Sequence, residues 1–348
     1  MSHDYKTVQW TPFKKRFDLW MLSGIAIYII GFIAISYMTQ PEGESFAPIQ
    51  ALLRATGTLA FLLLTFILCI GPLARLTDRF KPFLYNRRHL GVTTFLIALA
   101  HAALVLLWYH GFSETNPLAS LFISNPRYDS LSGFPFEVLG VGALMIMFLM
   151  AATSHDFWNA NLGPGLWKAL HMGVYIAYGL LIAHIALGAI QFEKSSIYVV
   201  LLASGATTVV ALHIATGLAS FGRIKKPEKD GWLIVANISE MEDARAKIIR
   251  PQSGEAIAVF RDGDKVSAVS NVCRHQGGPL GEGKIVDGCI TCPWHGFQYR
   301  MEDGQSPPPF TEKIATYATR IVDGVVYVNP VPNAPGTPQA SSQIGAPA

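Results

Sequence analysis

The sequence predicts two unlike parts in one chain, an all-α bundle of six transmembrane helices followed by an all-β domain. Three observations carry this. Apolar residues make up 51% of the 348 residues and charged residues only 15%, where an ordinary soluble domain has about a quarter of its residues charged. The apolar residues fall in long runs that end at Phe221. From Arg223 onward charge returns, and short stretches such as Ala256-Ile257-Ala258-Val259-Phe260 replace the runs, as in a small β domain.

A hydrocarbon core about 30 Å thick takes about 20 apolar residues as helix. Six stretches meet that length: 19–38, 51–76, 89–108, 136–153, 166–190 and 197–221. Six spans place both termini on one side. Lys14, Lys15 and Arg16 precede the first span, Arg75, Arg79, Lys81, Arg87 and Arg88 join the second to the third, and Arg223, Lys225 and Lys226 follow the sixth. The opposite loops carry Glu42, Glu44, Arg127 and Lys194. An excess of Lys and Arg marks the cytoplasmic side, so the expectation is a multi-pass protein of the inner (plasma) membrane with both termini in the cytoplasm. Residues 1–18 lead into a full-length span without a small-residue cleavage site, so that span is expected to be retained. The expected boundaries are 1–225 for the membrane domain, 226–330 for the β domain and 331–348 for a disordered tail rich in Pro, Ala, Ser and Gly.

A net charge of +3, with basic residues gathered at helix ends, gives no stripe for nucleic acid. Of the four cysteines, Cys69 lies in an apolar run while Cys273, Cys289 and Cys292 sit close together. That distribution is unlike a disulfide framework, and metal binding becomes the first reading. Cys273-Arg274-His275 and Cys292-Pro293-Trp294-His295 are separated by residues 276–291, and Gly277, Gly278, Gly281, Gly283 and Gly296 supply tight loops around them. Two Cys and two His also suit zinc, although zinc fingers order these ligands differently.

These motifs, together with Gly277-Gly278-Pro279-Leu280 and the run Pro307-Pro308-Pro309, resemble the Rieske family over residues 231–330. The resemblance implies a [2Fe-2S] cluster in which Cys273 and Cys292 hold one iron and His275 and His295 the other. Cys289 has no ligand role in the pattern and is expected as a buried strand residue. Rieske proteins of cytochrome bc complexes add a second cysteine pair and a serine, but the matching positions here are Gly278, Trp294 and Phe297. The family's tyrosine near a ligand cysteine is matched by Tyr299. Fewer hydrogen bonds to sulfur favour the oxidised cluster, so the expected potential lies at the lower end of the Rieske range, roughly −150 mV.

Ionisable side chains inside a bilayer are costly and mark functional sites. His101 falls in span three, His171 and His184 in span five, and His213 in span six. His171 and His184 are 13 residues apart, about 20 Å along a helix, and read as lying nearly on one face with a ligand near each side of the membrane. His101 and His184, on spans running the same way, can reach one outer haem between facing helices. His171 then belongs to an inner haem whose second ligand is open among His89, Arg87 and His213. His110 and His155 read as interfacial. Arg87-Arg88-His89-Leu90-Gly91 leading to His101, and Leu170-His171 leading to His184, resemble the ferric reductase-like transmembrane family over residues 52–221. The resemblance implies b-type haem, one or two per chain. Arg87 stands where the family has its inner histidine, unless His89 serves.

No Gly-x-Gly-x-x-Gly opens a helix after a strand, so no nicotinamide site is expected. The Rieske-type domain takes the place of the flavin domain that many members of the family carry. The functional expectation is an oxidoreductase that moves electrons from a cytoplasmic donor, a reductase or ferredoxin reductase, through the [2Fe-2S] cluster to haem. The acceptor on the far side is ferric iron, oxygen, quinone or a periplasmic reductase. The other readings are a redox-sensing regulatory protein and electron supply to a cytoplasmic oxygenase.

Overall fold

A computed structural model describes residues 12–40, 46–112, 114–124, 127–154, 156–192, 195–221, 224–225, 230–275, 277–293, 296–308 and 310–345. Glu42, Glu44, His155, Lys194, Arg223, Lys226, Trp294, His295 and Pro309 lie outside the described residues. The first part is helical: α1 (Pro12–Met38), α2 (Pro48–Leu76), α3 (Lys81–Tyr85), α4 (Arg87–Val105), α5 (Pro117–Ile123), α6 (Phe136–Ala152), α7 (Asp156–Leu187), α8 (Ala189–Phe192) and α9 (Ser196–Phe221). Proline opens α2 and α5, where its missing N–H costs nothing. Asn116 caps α5 by accepting from the Leu118 amide at 2.9 Å. The last turn after α4, Leu106–His110, is π-helical.

Among the described residues five helices, not six, are long and apolar enough to cross a membrane: Lys14–Met38, Pro48–Leu76, Arg87–His110, Leu166–Phe192 and Ser196–Ala219. The sixth expected span is the shorter α6 of 17 residues, about 26 Å long at 1.5 Å per residue. It is bounded by Pro135 at its start and by Thr153 and Ser154 at its end. Their hydroxyls turn back onto the carbonyls of Leu149 and Met150, each at 2.6 Å.

The helices pack around α2. Its Phe61, Leu64 and Leu68 share a buried cluster with Ala143 and Met147 of α6, Ala177 and Tyr178 of α7, and Leu202 and Val209 of α9. Tyr178 stacks on Phe61 with ring centres 5.9 Å apart, and its hydroxyl meets Thr65 at 2.9 Å, which satisfies the one polar atom of that ring. Ile27, Ile30, Leu96, Leu99, Val210 and Ile214 face outward and are exposed. Apolar surface of this extent suits lipid.

The second part is all-β: β1 (Ile224–Lys225), β2 (Leu233–Asn237), β3 (Ala246–Pro251), β4 (Ile257–Asp262), β5 (Lys265–Ser270), β6 (Lys284–Val286), β7 (Cys289–Thr291), β8 (Gln298–Arg300), β9 (Thr316–Val322), β10 (Val325–Pro332) and β11 (Ser342–Gln343). One sheet runs β1-β3-β4-β5-β9-β10-β2 with β11 also on β5, and a second runs β6-β7-β8. The hairpins β6–β7 and β9–β10 turn at Asp287-Gly288 and Asp323-Gly324. All four φ angles are positive, between +50° and +74°, as two-residue hairpins of the twist-matched kind require. Arg75 at the end of α2 forms an ion pair at 3.6 Å with Glu282, in the short turn Leu280–Glu282 of the β domain.

The segment expected as a disordered tail is ordered through residue 345. β10 carries the chain to Pro332, and β11 pairs with β5 through Ser342 and Val266. Between them Asn333 donates to Thr316 Oγ1 at 3.1 Å, and the amide of Gln339 donates to Glu302 O at 2.7 Å. These bonds to β9 and to the turn after β8 hold a segment that its composition alone leaves unplaced.

Candidate redox centres

Two loops of the β domain are built alike. In the first, after β5, the Cys273 amide donates to Gly278 O at 2.9 Å and the Gly277 amide to Cys273 O at 2.6 Å. In the second, between β7 and β8, the Cys292 amide donates to Phe297 O at 2.8 Å and the Gly296 amide to Cys292 O at 2.9 Å. Each loop thus places a glycine four residues after its cysteine, at φ +70° for Gly277 and +72° for Gly296. A side chain there would strain the turn. Cys273 and Cys292 are 0% and 2% exposed and belong to one buried cluster.

His275 follows Cys273 by two residues and is buried, its ring stacked on Phe297 at 4.6 Å and 8°. Phe297 in turn packs against Tyr299 and against Phe310 of the proline loop, at 5.4 and 4.9 Å. Two buried sulfurs on matched loops, with an imidazole beside the first, fit a [2Fe-2S] cluster that takes sulfur on one iron and imidazole on the other. His295, the expected fourth ligand, lies outside the described residues. Cys289 is half-buried on β7, not buried as expected. Strand alternation gives the inward position to Ile290 and turns Cys289 to the other face. Burial pushes the Cys289 thiol up.

Tyr299, fully buried on β8, accepts the Arg274 amide at 2.9 Å and lies 3.5 Å from Cys273 Sγ. An amide can only donate, so the phenol proton is left for the sulfur. Burial, followed by the charge of Cys273, pushes the Tyr299 pKa well up, and the hydroxyl stays a donor at working pH. Tyr299→Phe is therefore expected to lower the cluster midpoint potential by about 40 mV. This corresponds to about 1 kcal/mol, the net contribution of an ordinary hydrogen bond, for one electron. The difference should hold constant from about pH 6 to 9, since Tyr299 does not ionise there. Protein-film voltammetry of parent and variant measures it.

In the bundle, His101 on α4 donates through Nδ1 to the carbonyl of Leu53 on α2 at 3.0 Å. His184 on α7 donates through Nδ1 to the carbonyl of Phe136 on α6 at 2.8 Å. A carbonyl only accepts, so both rings carry hydrogen at Nδ1 and a lone pair at Nε2. That is the tautomer a metal ligand needs, with the outer-shell bond fixing the ring. Leu53 and Phe136 lie in the opening turns of α2 and α6, and His184 in the last turn of α7, so both rings belong to one end of the bundle.

The expected inner site is assembled less completely. α7 is α-helical throughout, and 13 residues at about 100° each leave His171 and His184 about 140° apart round its axis, not on one face. His171 donates to Trp167 O at 2.9 Å and stacks on the Trp167 ring at 3.8 Å. Ser154 gives its single proton to Met150, so it donates nothing to His171 Nε2 at 3.4 Å. Arg87 is the charged neighbour of His171. His89 turns instead to α1, where Nδ1 meets Asp18 Oδ1 at 2.7 Å, and His213 Nε2 meets the Tyr175 hydroxyl at 3.0 Å. Tyr175 is one turn along α7 from His171, so His213 faces that stretch of the helix, while His89 is engaged on α1. His110 is buried against Ser120 of α5, at 2.9 Å from Nδ1. The carbonyls of Leu53 and Phe136 carry no signal in sequence. Asp18, an acid at the edge of the first apolar run, was the legible sign of a partner for His89.

Comparison with known proteins assigns both parts. The profile for the ferric reductase like transmembrane component matches residues 56–182, and that for the Rieske [2Fe-2S] domain matches residues 231–318. The protein-methionine-sulfoxide reductase heme-binding subunit of Herminiimonas arsenicoxydans is 30% identical over 183 residues, which cover 51% of this chain and 77% of that protein. The chain belongs to the ferric reductase-like transmembrane family and carries a Rieske domain. The Rieske domain is also similar to the anthranilate 1,2-dioxygenase ferredoxin subunit of Burkholderia cepacia, 39% identical over 100 residues, or 28% of this chain and 91% of that one. Among solved structures, a chain of the complex of reduced oxygenase and oxidized ferredoxin in carbazole 1,9a-dioxygenase is 27% identical, with 30% of this chain and 97% of that chain covered and a TM-score of 0.29. This member of the ferric reductase-like family is thus an oxidoreductase of heme-binding, Rieske [2Fe-2S] type with transmembrane helices.

Proposed function

We propose that the protein carries electrons across the membrane, from a cytoplasmic donor such as a reductase or ferredoxin reductase to an acceptor on the far side. The route runs through the Rieske cluster and one or two b haems, and the acceptor is ferric iron, oxygen, quinone or a periplasmic reductase. The observation that carries this reading is the pair of Nε2 atoms on His101 and His184, set at one end of a bundle that is fused to the two cysteine loops. Cys273, His275, Cys292 and His295 hold the cluster, His101 and His184 hold the outer haem, and His171 serves any inner haem. His89, its Nδ1 turned to Asp18, stays open alongside Arg87 and His213 as the second ligand of that inner haem. When bound, these groups supply one-electron chemistry that side chains lack. The protein orients their ligands and shields them from water.

In this reading α6 is the sixth span, since Met145, Phe148 and Leu149 face outward while Ala143 and Met147 pack inward. Both termini then share the side rich in Lys and Arg, which is the cytoplasmic side of the inner membrane. The Arg75–Glu282 pair, at the end of α2 remote from Leu53, supports a Rieske domain lying opposite the outer haem. The purified protein is expected to show b-haem optical bands together with the low-average-g EPR signal of a Rieske cluster. Stoichiometric zinc without that EPR signal would overturn the cluster assignment.

A further inference from the structure

Two glycines stand against the two membrane histidines in the same way. A methyl group at Gly57 would lie 2.9 Å from His101 Cε1 and 3.0 Å from Nδ1, and one at Gly140 would lie 2.8 Å from His184 Nδ1 and 2.9 Å from Cε1. Carbon atoms pack at about 3.5–4.0 Å, so in both places the ring occupies the space of the missing side chain. The register repeats as well. In an α-helix each amide bonds the carbonyl four residues back, and the carbonyls that accept the imidazoles are Leu53 and Phe136, four before Gly57 and Gly140. Each carbonyl has a second lone pair, and only a bare backbone next to it lets a ring come within 3.0 Å.

We propose that Gly57 and Gly140 are positioning residues for the outer haem: each lets a histidine ring lie on a neighbouring helix and bond its backbone, which fixes the tautomer and plane of the iron ligand. The proposal rests on His101 and His184 being the haem ligands. It explains why glycine, which lowers helix stability by about 1 kcal/mol relative to alanine, sits at these two interhelical positions. Gly24, Gly91 and Gly179 meet nothing within 4 Å and have no such role. Gly205 is a different case, its missing side chain being filled by Phe61 at 2.9 Å.

Gly57→Ala and Gly140→Ala, made in the full-length protein in detergent, test this against Gly179→Ala and Gly205→Ala. In each of the first two the ring must move and its Nδ1 bond lengthen. The imidazole becomes a poorer electron donor, so the haem equilibrium shifts toward ferrous by about tenfold, or 59 mV for one electron. The largest ferric EPR g value, which reports ligand-plane orientation, moves with it. Gly179→Ala should leave both unchanged, and Gly205→Ala should change stability without changing either. Unaltered potential and g value in Gly57→Ala and Gly140→Ala would overturn the proposal, as would equal changes in Gly205→Ala. Full haem retention in His101→Ala or His184→Ala would instead sink the ligand assignment itself, so the two failures are separable.

Discussion

Replacing His101 or His184 by alanine is expected to remove the same haem, and each single variant should lose as much as the double. In the proposed pairing one iron would take both Nε2 atoms. With either imidazole gone, the proposed site would keep a single protein ligand. The effect should far exceed the 10–100-fold typical of outer-shell changes. The chain itself should survive, because the cluster of Phe61, Leu64, Ala177 and Tyr178 that closes the bundle does not include either histidine. A pyridine haemochrome assay on monodisperse protein gives the count directly. His171→Ala is the useful contrast. It should leave the outer haem intact and lower the count only where a second haem is bound. Full haem in either His101→Ala or His184→Ala would show that the pairing is wrong.

The cluster site was readable in sequence because almost all of it is local. A cysteine, a histidine two residues on and a glycine four residues on are close by chain connectivity, and the same turn geometry recurs at Cys292. The membrane site was only half readable. His101, His171 and His184 stand out as ionisable residues in apolar runs, but which pair meets depends on helix rotation. A spacing of 13 is not a whole number of turns. The histidines' partners were hidden, since a backbone carbonyl is present at every position, and the glycines four residues after Leu53 and Phe136 gain meaning only once the rings are seen against them. Composition misled at the C-terminal segment, where Pro, Ala, Ser and Gly read as disorder. The bonds of Asn333, Gln339 and Ser342 need the folded sheet to exist. The count of spans turns on α6, whose 17 residues sit at the lower limit of what crosses a bilayer.

The direction of flow gives the second large effect. Cys292→Ser is expected to bring haem reduction by NADH and a cytoplasmic reductase down to background while leaving reduction by dithionite intact. Cys292 is 2% exposed in the second cluster loop, and an alcohol there is a far poorer iron ligand than a thiolate. NADH acts on the added reductase, and in the proposed path the cluster is where that reductase delivers its electrons. A small reductant reaches the haem without the cluster, and this separates a broken path from a damaged haem. Inverted membrane vesicles expose the cytoplasmic face to added donor, and stopped-flow absorbance at the haem band follows the rate in parent and variant. Equal rates would mean that electrons bypass the cluster. The opposite arrangement, in which the Rieske domain supplies a soluble oxygenase, would then move ahead, and the same vesicles with membrane-side reductant would show haem oxidised through the cluster.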